Sequence, residues 1–441
     1  MADFPAKGLG QSQSSLTLET LPPEMQFEIF KHVSLGDLAK IARSFALLSH
    51  IAETELYQRD IRQAKYKGSR ALVYAARKNN VPLVYKIFDY GGARALNYHF
   101  HCKAQVTFTN VTGEQRGRSL SSLTPLHWAA SEGNDAVVTL FLDHGALINQ
   151  PNMFQILRNG NDELWSVTAL STAVSRKNVS TAHILLNKGA QWHPVCIRQN
   201  AKITPERLRL REIPAMISVD RYWLLKTAVQ RNLQSVLGSL LSLAGPIDEA
   251  TMPYGYCTLL NTATQTASSI DLIPQLLSSG ATVARSGMNL ESPLHNLARL
   301  QDQDAALKGL RYLSSLPGFS CNILNNSGLT PLAVASYLLH RRMILALLSL
   351  GANPNLGHGN RPWPPLRRLT LRVALLANGG DLVNERLIID CMVPLYRAGA
   401  VFDADCINNL MIASRLHLYT HVAFSEMARQ MRMSMQNQQG S

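Results

Sequence analysis

The chain has 441 residues, of which 46% are hydrophobic, and a formal net charge of +13. Its length and apolar content allow a large buried core, while no apolar run approaches the roughly 20 residues that a membrane span needs. Six cysteines lie scattered without a Cys-x-x-Cys pair, which argues against a disulfide framework and favours a reducing compartment. We therefore expect a chain that works in the cytoplasm, in the nucleus or in both.

Residues 1–17 are rich in Gln, Ser and Gly, and they predict a disordered leader. Residues 18–62 then predict three short helices. The first opens at the Leu-Pro-Pro-Glu sequence of residues 21–24, because the first helical turn tolerates proline and favours an acidic residue. Ser34 followed by Asp37 is a capping-box pattern, and it predicts the start of the second helix.

Three helices of this size bury too little apolar surface to be stable alone, so the segment predicts a partner. The residues that carry its pattern are Leu21, Pro22, Glu24, Met25, Ile29, Phe30, Val33, Leu35, Asp37, Leu38, Ile41 and Arg43. On these residues the segment resembles an F-box, the module that docks on the Skp-type adaptor of cullin-based ubiquitin ligases. The resemblance implies adaptor contacts at Leu21, Pro22, Glu24, Met25, Ile29, Leu35, Leu38 and Ile41.

Residues 18–62 depart from the F-box pattern at one position and also have an alternative interpretation. F-boxes commonly carry an aromatic residue after the second helix, and Phe45 or Leu48 must fill that position here. The alternative is that residues 18–62 only cap the segment that follows, without an outside partner.

From residue 67 to residue 402 the chain repeats one pattern, a small residue followed by a glycine sixteen or seventeen positions later. The copies are Ala75 and Gly91, Ala129 and Gly145, Ala173 and Gly189, Ala228 and Gly245, Ala263 and Gly280, and Ala335 and Gly351. A unit of about 33 residues cannot bury its own apolar face, so such units must stack on one another.

The clearest copies begin with Thr-Pro, at residues 124–125 and 330–331. In each copy the threonine predicts a helix start, with its hydroxyl accepting a hydrogen bond from a free amide. Gly145 predicts a helix that ends in a left-handed residue.

Residues 124–146 and 330–352 resemble ankyrin repeats. The resemblance implies an all-α fold, in which an N-terminal three-helix F-box-like segment precedes an ankyrin-repeat α-solenoid of about eight units with short β-hairpin fingers. It also implies a structural role for His127 and His295, which stand at the histidine of the repeat motif.

The predicted domains are a leader at 1–17, the F-box-like domain at 18–62, the ankyrin-repeat domain at 67–402 with insertions near 97–118, 150–165, 193–220 and 355–368, and a C-terminal helix and disordered tail at 403–441.

Basic residues concentrate in the repeats, since the first 60 residues hold only five Lys or Arg against eight Asp or Glu. Two clusters are Arg198, Lys202, Arg207, Arg209 and Arg211, and then Arg361, Arg367, Arg368 and Arg372. This bias suggests an acidic or phosphorylated protein partner. The alternatives are a merely solvated basic surface and, less well supported because stacking aromatics are not interleaved, nucleic acid.

Stacked repeats bind along their fingers and first helices, where aromatic and basic side chains supply most contact energy. The candidate target contacts are Trp128, Asn149, Trp192, Arg207, Arg209, Arg211, Tyr254, Tyr256 and Trp363. Each of them could instead be a packing residue.

No catalytic motif is present in the sequence. His99, His101 and Cys102 form the tightest group of metal-ligand residue types, but no second group lies at ligand spacing. We therefore expect neither an enzyme nor a bound metal or cofactor. The sequence predicts a substrate-recognition subunit of a cullin-type ubiquitin ligase, and its alternative is an ankyrin scaffold or sequestering protein whose first helices only cap the stack.

Overall fold

The computed structural model describes residues 17–110, 113–150, 152–157, 163–191, 196–198, 217–244, 257–283, 290–357, 364–379 and 385–415. This part of the chain is mostly helical. The chain divides into two compact units, Met1–Thr204 and Pro205–Ser441. Within the described ranges, none of the helices combines the length and the apolar character that crossing a bilayer requires.

The first unit contains α1 (Pro23–Phe30), α2 (Leu35–Ser44), α3 (Ala46–Lys67), α4 (Arg70–Lys78), α5 (Val81–Asp89), α6 (Pro125–Glu132), α7 (Asp135–Asp143), α8 (Ala169–Ser175) and α9 (Val179–Asn187), with short 3₁₀ helices at Leu18–Thr20 and Gly92–Ala95. Its strands are β1 (Phe100–Asn110), β2 (Gly113–Leu123), β3 (Asn152–Leu157), β4 (Glu163–Val167) and β5 (Cys196–Arg198).

The second unit contains α10 (Ile217–Gln230), α11 (Gln234–Ala244), α12 (Leu259–Ala263), α13 (Ile273–Ser278), α14 (Pro293–Arg299), α15 (Gln303–Ser314), α16 (Pro331–Tyr337), α17 (Arg341–Ser349), α18 (Pro365–Asn378), α19 (Glu385–Arg397) and α20 (Ala404–Arg415), with a 3₁₀ helix at Ala267–Leu272.

An N-terminal bundle of α1, α2 and α3 opens the first unit, and we call it the leader bundle. Its core consists of the buried side chains Phe30, Leu38, Leu48 and Ala52. As predicted, Ser34 caps α2, accepting a hydrogen bond from the amide of Asp37 at 3.2 Å. The third helix is 22 residues long, and it crosses the expected boundary between residues 62 and 67 without a break.

Three helix pairs follow the leader bundle. The first helices α4, α6 and α8 pack side by side, and the second helices α5, α7 and α9 form a parallel row. Gly145 follows α7 with a φ of +90°, the left-handed conformation that the sequence predicts there. Each pair therefore buries its apolar face against the next pair, as stacked repeats require.

The threonine caps divide into two classes. Thr330 accepts a hydrogen bond from the amide of Ala333 at 3.1 Å, as predicted. Thr124 also precedes a helix start, as predicted, but its hydroxyl bonds to Nδ1 of His127 at 2.7 Å and makes no cap bond to a backbone amide. Ser292 also places its hydroxyl close to a histidine, 2.8 Å from Nδ1 of His295, and that nitrogen accepts a hydrogen bond from the amide of Ser292 at 3.1 Å in a capping box.

The expectation of an all-α chain with only short fingers needs a correction. Five antiparallel strands form one sheet in the order β1-β2-β3-β4-β5. They lie in or beside the stretches that the sequence predicts as insertions near 97–118, 150–165 and 193–220. Backbone pairing between these long stretches satisfies amides and carbonyls that the helices cannot reach.

The second unit continues the same helix-pair pattern. Its first helices α10, α12, α14, α16, α18 and α20 each pack on the next one in the chain. The last of them, α20, lies in the stretch that the sequence predicts as a C-terminal helix. The predicted leader at 1–17, apart from residue 17, and the tail after residue 415 lie outside the described residues.

Candidate protein-binding surfaces

The first helix of the leader bundle presents two apolar side chains to solvent. Met25 is 53% exposed and Ile29, one helical turn later, is 39% exposed. Residues four apart lie on one face of a helix, so the two side chains form a single patch, which we call the α1 patch. Phe30, about 100° round the helix from Ile29, is fully buried in the core. Since the core is already filled, the α1 patch has no room to turn inward.

The other predicted adaptor contacts divide by exposure. Pro22 and Glu24 are exposed, next to the α1 patch in sequence. Leu21, Leu35 and Ile41 are half-buried, and Ile41 packs against the bundle core. Leu38 is completely buried in that core, and its role as an adaptor contact stays a prediction. A leucine at the inner position of an amphipathic helix packs against its own bundle before it can meet a partner.

A buried carboxylate organises the polar interior of the bundle. Glu55 is 1% exposed, and its Oε1 accepts hydrogen bonds from Arg59 at 3.1 Å and from Arg62 at 2.8 Å. Arg59 also donates to the backbone carbonyls of Phe30 and Val33, both at 2.6 Å. These two carbonyls follow the end of α1, where helical hydrogen bonding stops. Arg59 thus donates hydrogen bonds both to backbone carbonyls at the end of α1 and to the buried carboxylate of Glu55.

The other side of α3 holds the first repeat. Asp60 accepts hydrogen bonds from the hydroxyl of Ser69 and from the amides of Arg70, at 3.0 Å, and Ala71, at 3.3 Å. A carboxylate at the start of a helix is favoured by the helix dipole.

Two further contacts join α3 to the first repeat. Glu53 pairs with Lys86 at 2.5 Å, and the rings of Tyr57 and Tyr90 stack with centroids 5.5 Å apart. Hydrogen bonding to Glu53 raises the pKa of Lys86, which keeps the pair ionised.

Among the predicted target contacts, Trp128 and Asn149 fall in the described residues. Trp128 is half-buried on α6, with the guanidinium of Arg77 5.1 Å from its ring centroid. Asn149 accepts a hydrogen bond from the amide of Gln191 at 2.8 Å, which joins successive repeats, and its role as a target contact stays a prediction. The remaining candidates lie outside the described residues, namely Trp192, Arg207, Arg209, Arg211, Tyr254, Tyr256 and Trp363.

Asn149 belongs to a series that the sequence reasoning missed. Asn355 donates to the carbonyl of Gly399 at 2.7 Å and accepts from the amide of Val401 at 2.8 Å. Asn97 and Asn322 make the same pair of bonds to the corresponding glycine carbonyl and amide of the next repeat. The shared signal is an asparagine in the finger of one repeat, 31 to 50 positions before the amide that it bonds.

The described residues also contain a basic surface on the first helices of the second unit. The guanidinium carbons of Arg368 and Arg372 lie 4.4 Å and 5.3 Å from the ring centroid of Tyr337. Arg299, at the end of α14, is 42% exposed and pairs with Glu291. We call Arg299, Tyr337, Arg368 and Arg372 the arginine-tyrosine cluster. Sequence reasoning grouped Arg368 and Arg372 with Arg361 and Arg367, and it missed Arg299 and Tyr337.

Arg367 differs from its neighbour in the sequence. It pairs with Asp405 of α20, so its charge is compensated within the stack. Arg361 lies outside the described residues. Burial lowers the pKa of the Arg368 guanidinium, Tyr337 raises it, and the positive charge of Arg299 lowers it again. Burial is the largest of these influences on the pKa, and the raising effect of Tyr337 exceeds the lowering effect of Arg299.

Two cysteines of the second unit, Cys391 and Cys406, are buried free thiols. Burial raises the pKa of Cys391 to about 12 and that of Cys406 to about 11, so neither is a thiolate near neutral pH. His99 lies 2.9 Å from Nε2 of Gln150, whereas the side chains of His101 and Cys102 lie outside the description. Over the described residues no group of three His, Cys, Asp or Glu side chains has the arrangement that holds a metal ion.

Comparison with known proteins identifies the repeats. Residues 45–196 match the family model "Ankyrin repeats" in three copies, so the chain contains ankyrin repeats, a module for protein–protein interaction. A human solved structure, the ASB11 ankyrin repeat domain, is 19% identical in sequence, with a TM-score of 0.40. The alignment covers 64% of this chain and 98% of that one. None of the curated proteins compared with the chain matches it.

Proposed function

We propose that this protein is the substrate-recognition subunit of a cullin-type ubiquitin ligase. In this proposal the leader bundle docks on a Skp-type adaptor and, through it, on a cullin scaffold, while the ankyrin repeats bind the target protein. The subunit carries out no bond chemistry itself. It raises the concentration of the target near a ubiquitin donor, so that an encounter between separate molecules becomes nearly intramolecular.

The observation that carries the proposal is the α1 patch. Met25 and Ile29 stay exposed beside a core that Phe30, Leu38 and Ala52 already fill. Fully burying an exposed side chain of this size contributes about 1.5–3 kcal/mol, and because Met25 and Ile29 are 53% and 39% exposed, a partner helix that covers both gains roughly the same amount. The exposed Pro22 and Glu24 precede the patch and belong to the residues on which the F-box resemblance depends.

The continuity of α3 supports the same function. One uninterrupted helix, Ala46–Lys67, belongs to the leader bundle and also contacts the first repeat through Asp60 and Tyr57. A helix rises about 1.5 Å per residue and bends little, so such a join fixes the distance between an adaptor site and the adjoining repeats. A flexible linker would instead dilute the benefit of tethering.

The alternative is an ankyrin scaffold or sequestering protein whose leader bundle only caps the stack. Two observations favour it. The ankyrin-repeat match begins at residue 45, which includes all of α3. Moreover, the contacts of Glu53 with Lys86 and of Tyr57 with Tyr90 are those of a helix that covers the end of a stack. A bundle that only caps the stack has no need for the α1 patch. Adaptor binding that depends on this patch therefore distinguishes the two proposed functions.

The test is binding of the full chain to a purified Skp-type adaptor. The informative variant is Met25→Ala with Ile29→Ala, because both side chains are exposed and their loss leaves the core intact. The matched control is Leu243→Ala with Leu345→Ala, two exposed leucines on second helices of the second unit. We expect the wild type and the control to bind the adaptor and the α1-patch variant to lose at least tenfold in affinity. A wild-type chain that ignores the adaptor leaves the scaffold function as the better account.

A further inference from the structure

The first helix of the first repeat carries a row of exposed basic and aromatic side chains. Arg70, Tyr74, Arg77 and Lys78 follow the spacing i, i+4, i+7 and i+8 along α4, so they share one face, which we call the α4 face. All four side chains are exposed, Tyr74 to 56% and Arg77 to 55%. The other side of α4 is buried in the stack. The α4 face is therefore a surface that the repeats hold open to solvent.

Positive charge prevails on this face. Residues 61–80 include six Lys or Arg and no Asp or Glu. Within the described part of the chain, the side chains of Arg70 and Lys78 take part in no ion pair. Arg77 lies 3.9 Å from a carboxylate oxygen of Glu132 on α6, and Asp60 already accepts hydrogen bonds from the first amides of α4. The three basic side chains outweigh these two carboxylates.

An aromatic strip runs between the basic residues. Tyr74 and Trp128 each directly precede the alanine of the repeat pattern, so they hold corresponding positions on α4 and α6. These two helices pack side by side, and packed helices have their axes about 8–10 Å apart. The guanidinium carbon of Arg77 lies 5.1 Å from the centroid of the Trp128 ring, so the α4 face continues onto α6.

The spacing along α4 narrows the chemistry of a partner. Arg70 and Lys78 are separated by about 12 Å along the helix axis, with Tyr74 halfway between them. In an extended peptide, residues i, i+2 and i+4 point to one side and span about 13 Å. Acidic side chains at i and i+4 can therefore reach the two basic residues while an apolar side chain at i+2 meets Tyr74. This pattern is the same in either chain direction.

A nucleic acid fits the same surface less well. Its backbone brings a continuous row of negative charges, and Glu132 stands beside Arg77 where that row would pass. Glu132 is 43% exposed, so solvent does not hide its charge from a partner. A peptide avoids the repulsion, because it can place an uncharged residue opposite this carboxylate.

We infer that the α4 face binds an extended acidic segment of the target protein, in which two carboxylate side chains flank an apolar one. This inference rests on the proposed function, since it names the kind of target that the repeats recruit. Arg70 and Lys78 pair with the two carboxylates, and the apolar side chain packs against Tyr74 and Trp128. Arg77 adds attraction at longer range.

The experiment measures binding of labelled short peptide libraries to the full chain by fluorescence anisotropy. The acidic library has Glu-x-Leu-x-Glu fixed at its centre, and two counterpart libraries have Gln-x-Leu-x-Gln or Glu-x-Ser-x-Glu. We expect the acidic library to bind at least fivefold more tightly than either counterpart, with a preference over the glutamine library that shrinks as salt is added. Equal binding of the acidic library and either counterpart would overturn the inference. An oligouridylate that binds more tightly than the acidic library, and does so through Arg70 and Lys78, would also overturn it and indicate a nucleic-acid surface.

Substitutions then place the binding on the α4 face. Arg70→Gln with Lys78→Gln should weaken binding of the acidic library at least fivefold. The matched control is Arg311→Gln with Arg397→Gln, which removes the same charge from two exposed positions on second helices and should leave binding unchanged. Equal effects of the two pairs would overturn the assigned site.

A charge reversal covers the case in which the glutamine variant is damaged. Arg70→Glu with Lys78→Glu should lose the acidic library and gain binding of a library with Lys-x-Leu-x-Lys, a switch that an unfolded chain cannot make. A folded variant that gains nothing contradicts the pairing. Tyr74→Ser should weaken binding of the acidic library while leaving the Glu-x-Ser-x-Glu library unchanged, and equal losses would contradict the apolar contact.

These outcomes are separable from those of the proposed function. The chain with Met25→Ala and Ile29→Ala should bind the acidic library as the wild type does. A chain that binds the Skp-type adaptor but shows no preference for the acidic library refutes only this inference. Binding of the acidic library without adaptor binding leaves the site in place on a scaffold.

Discussion

Arg59 and Asp60 are neighbours in α3, and their side chains fasten that helix to two different structures. Arg59 donates to the carbonyls of Phe30 and Val33 at the end of α1, whereas Asp60 accepts from the first amides of α4. Successive residues of a helix point about 100° apart, so one helix can hold the leader bundle on one side and the first repeat on another. This pair explains why the bundle and the repeats share a helix without a linker.

Substitutions of Arg59 and of Asp60 should destabilise different helices. Removing a partner from buried polar groups costs about 1–3 kcal/mol. We therefore expect Arg59→Ala to lower amide-exchange protection in α1 and Asp60→Ala to lower it in α4, each by about 2 kcal/mol. Arg62→Ala is the control, since that side chain also contacts Glu55 but is more than half exposed, and it should change protection by less than 1 kcal/mol. Loss of protection in both helices in either variant would contradict this division.

A second prediction contrasts two glycines within the first unit. Gly145 has a φ of +90°, whereas Gly36 lies inside α2 with open space around it. Gly145→Ala places a side chain in a left-handed conformation at a cost of about 1–2 kcal/mol. Gly36→Ala should instead stabilise by about 0.5–1 kcal/mol, because alanine favours the helix. Urea unfolding followed by circular dichroism measures both, and shifts of the same sign would contradict the two assigned conformations.

A third prediction separates two of the finger asparagines. Asn149 uses its side-chain oxygen, accepting from Gln191, so Asn149→Asp should be tolerated within about 0.5 kcal/mol. Asn355 also donates to the carbonyl of Gly399, so Asn355→Asp loses a donor and sets a negative charge against a carbonyl oxygen. We expect it to cost about 1–3 kcal/mol in thermal or urea unfolding. Equal effects of the two substitutions would show that the donor of Asn355 contributes nothing.

Local patterns predicted the repeats well, because each depends on a few adjacent residues. Ser34, Thr330 and Gly145 do what their positions indicate, since a cap or a left-handed end is decided within one turn. Thr124 also precedes a helix, but its hydroxyl bonds to Nδ1 of His127 and makes no cap bond, a choice that depends on side-chain geometry.

Longer-range features were harder to predict. Leu38 fits the F-box pattern, but a pattern does not say which apolar residues fill the core and which remain outside, and that choice depends on how three helices pack. The sheet depends on register between strands as far apart as β2 and β3, which no helical periodicity encodes. The arginine-tyrosine cluster joins three first helices, so only the stack brings Arg299 and Tyr337 beside α18.

The last prediction concerns pH and the buried His340, which begins α17. Burial lowers the pKa of this histidine below its ordinary value of 6.5, while its bond to the carbonyl of Ala298, at 2.9 Å, opposes the shift. The unfolded chain therefore takes up a proton at a higher pH than the folded chain does. The contribution of His340 to the free energy of unfolding is thus fully present above pH 6.5 and decreases as the pH falls below that value.

Asn134 and Asn178 make the matching bond in other repeats, to the carbonyls of Ala76 and Ala130. His340→Asn should accordingly keep the contact without the titration, so the stability difference between wild type and variant should move in favour of the variant between pH 7.5 and pH 5. Urea unfolding at several pH values measures that difference, and a difference that stays constant over the range would show that His340 titrates alike in the folded and unfolded chains.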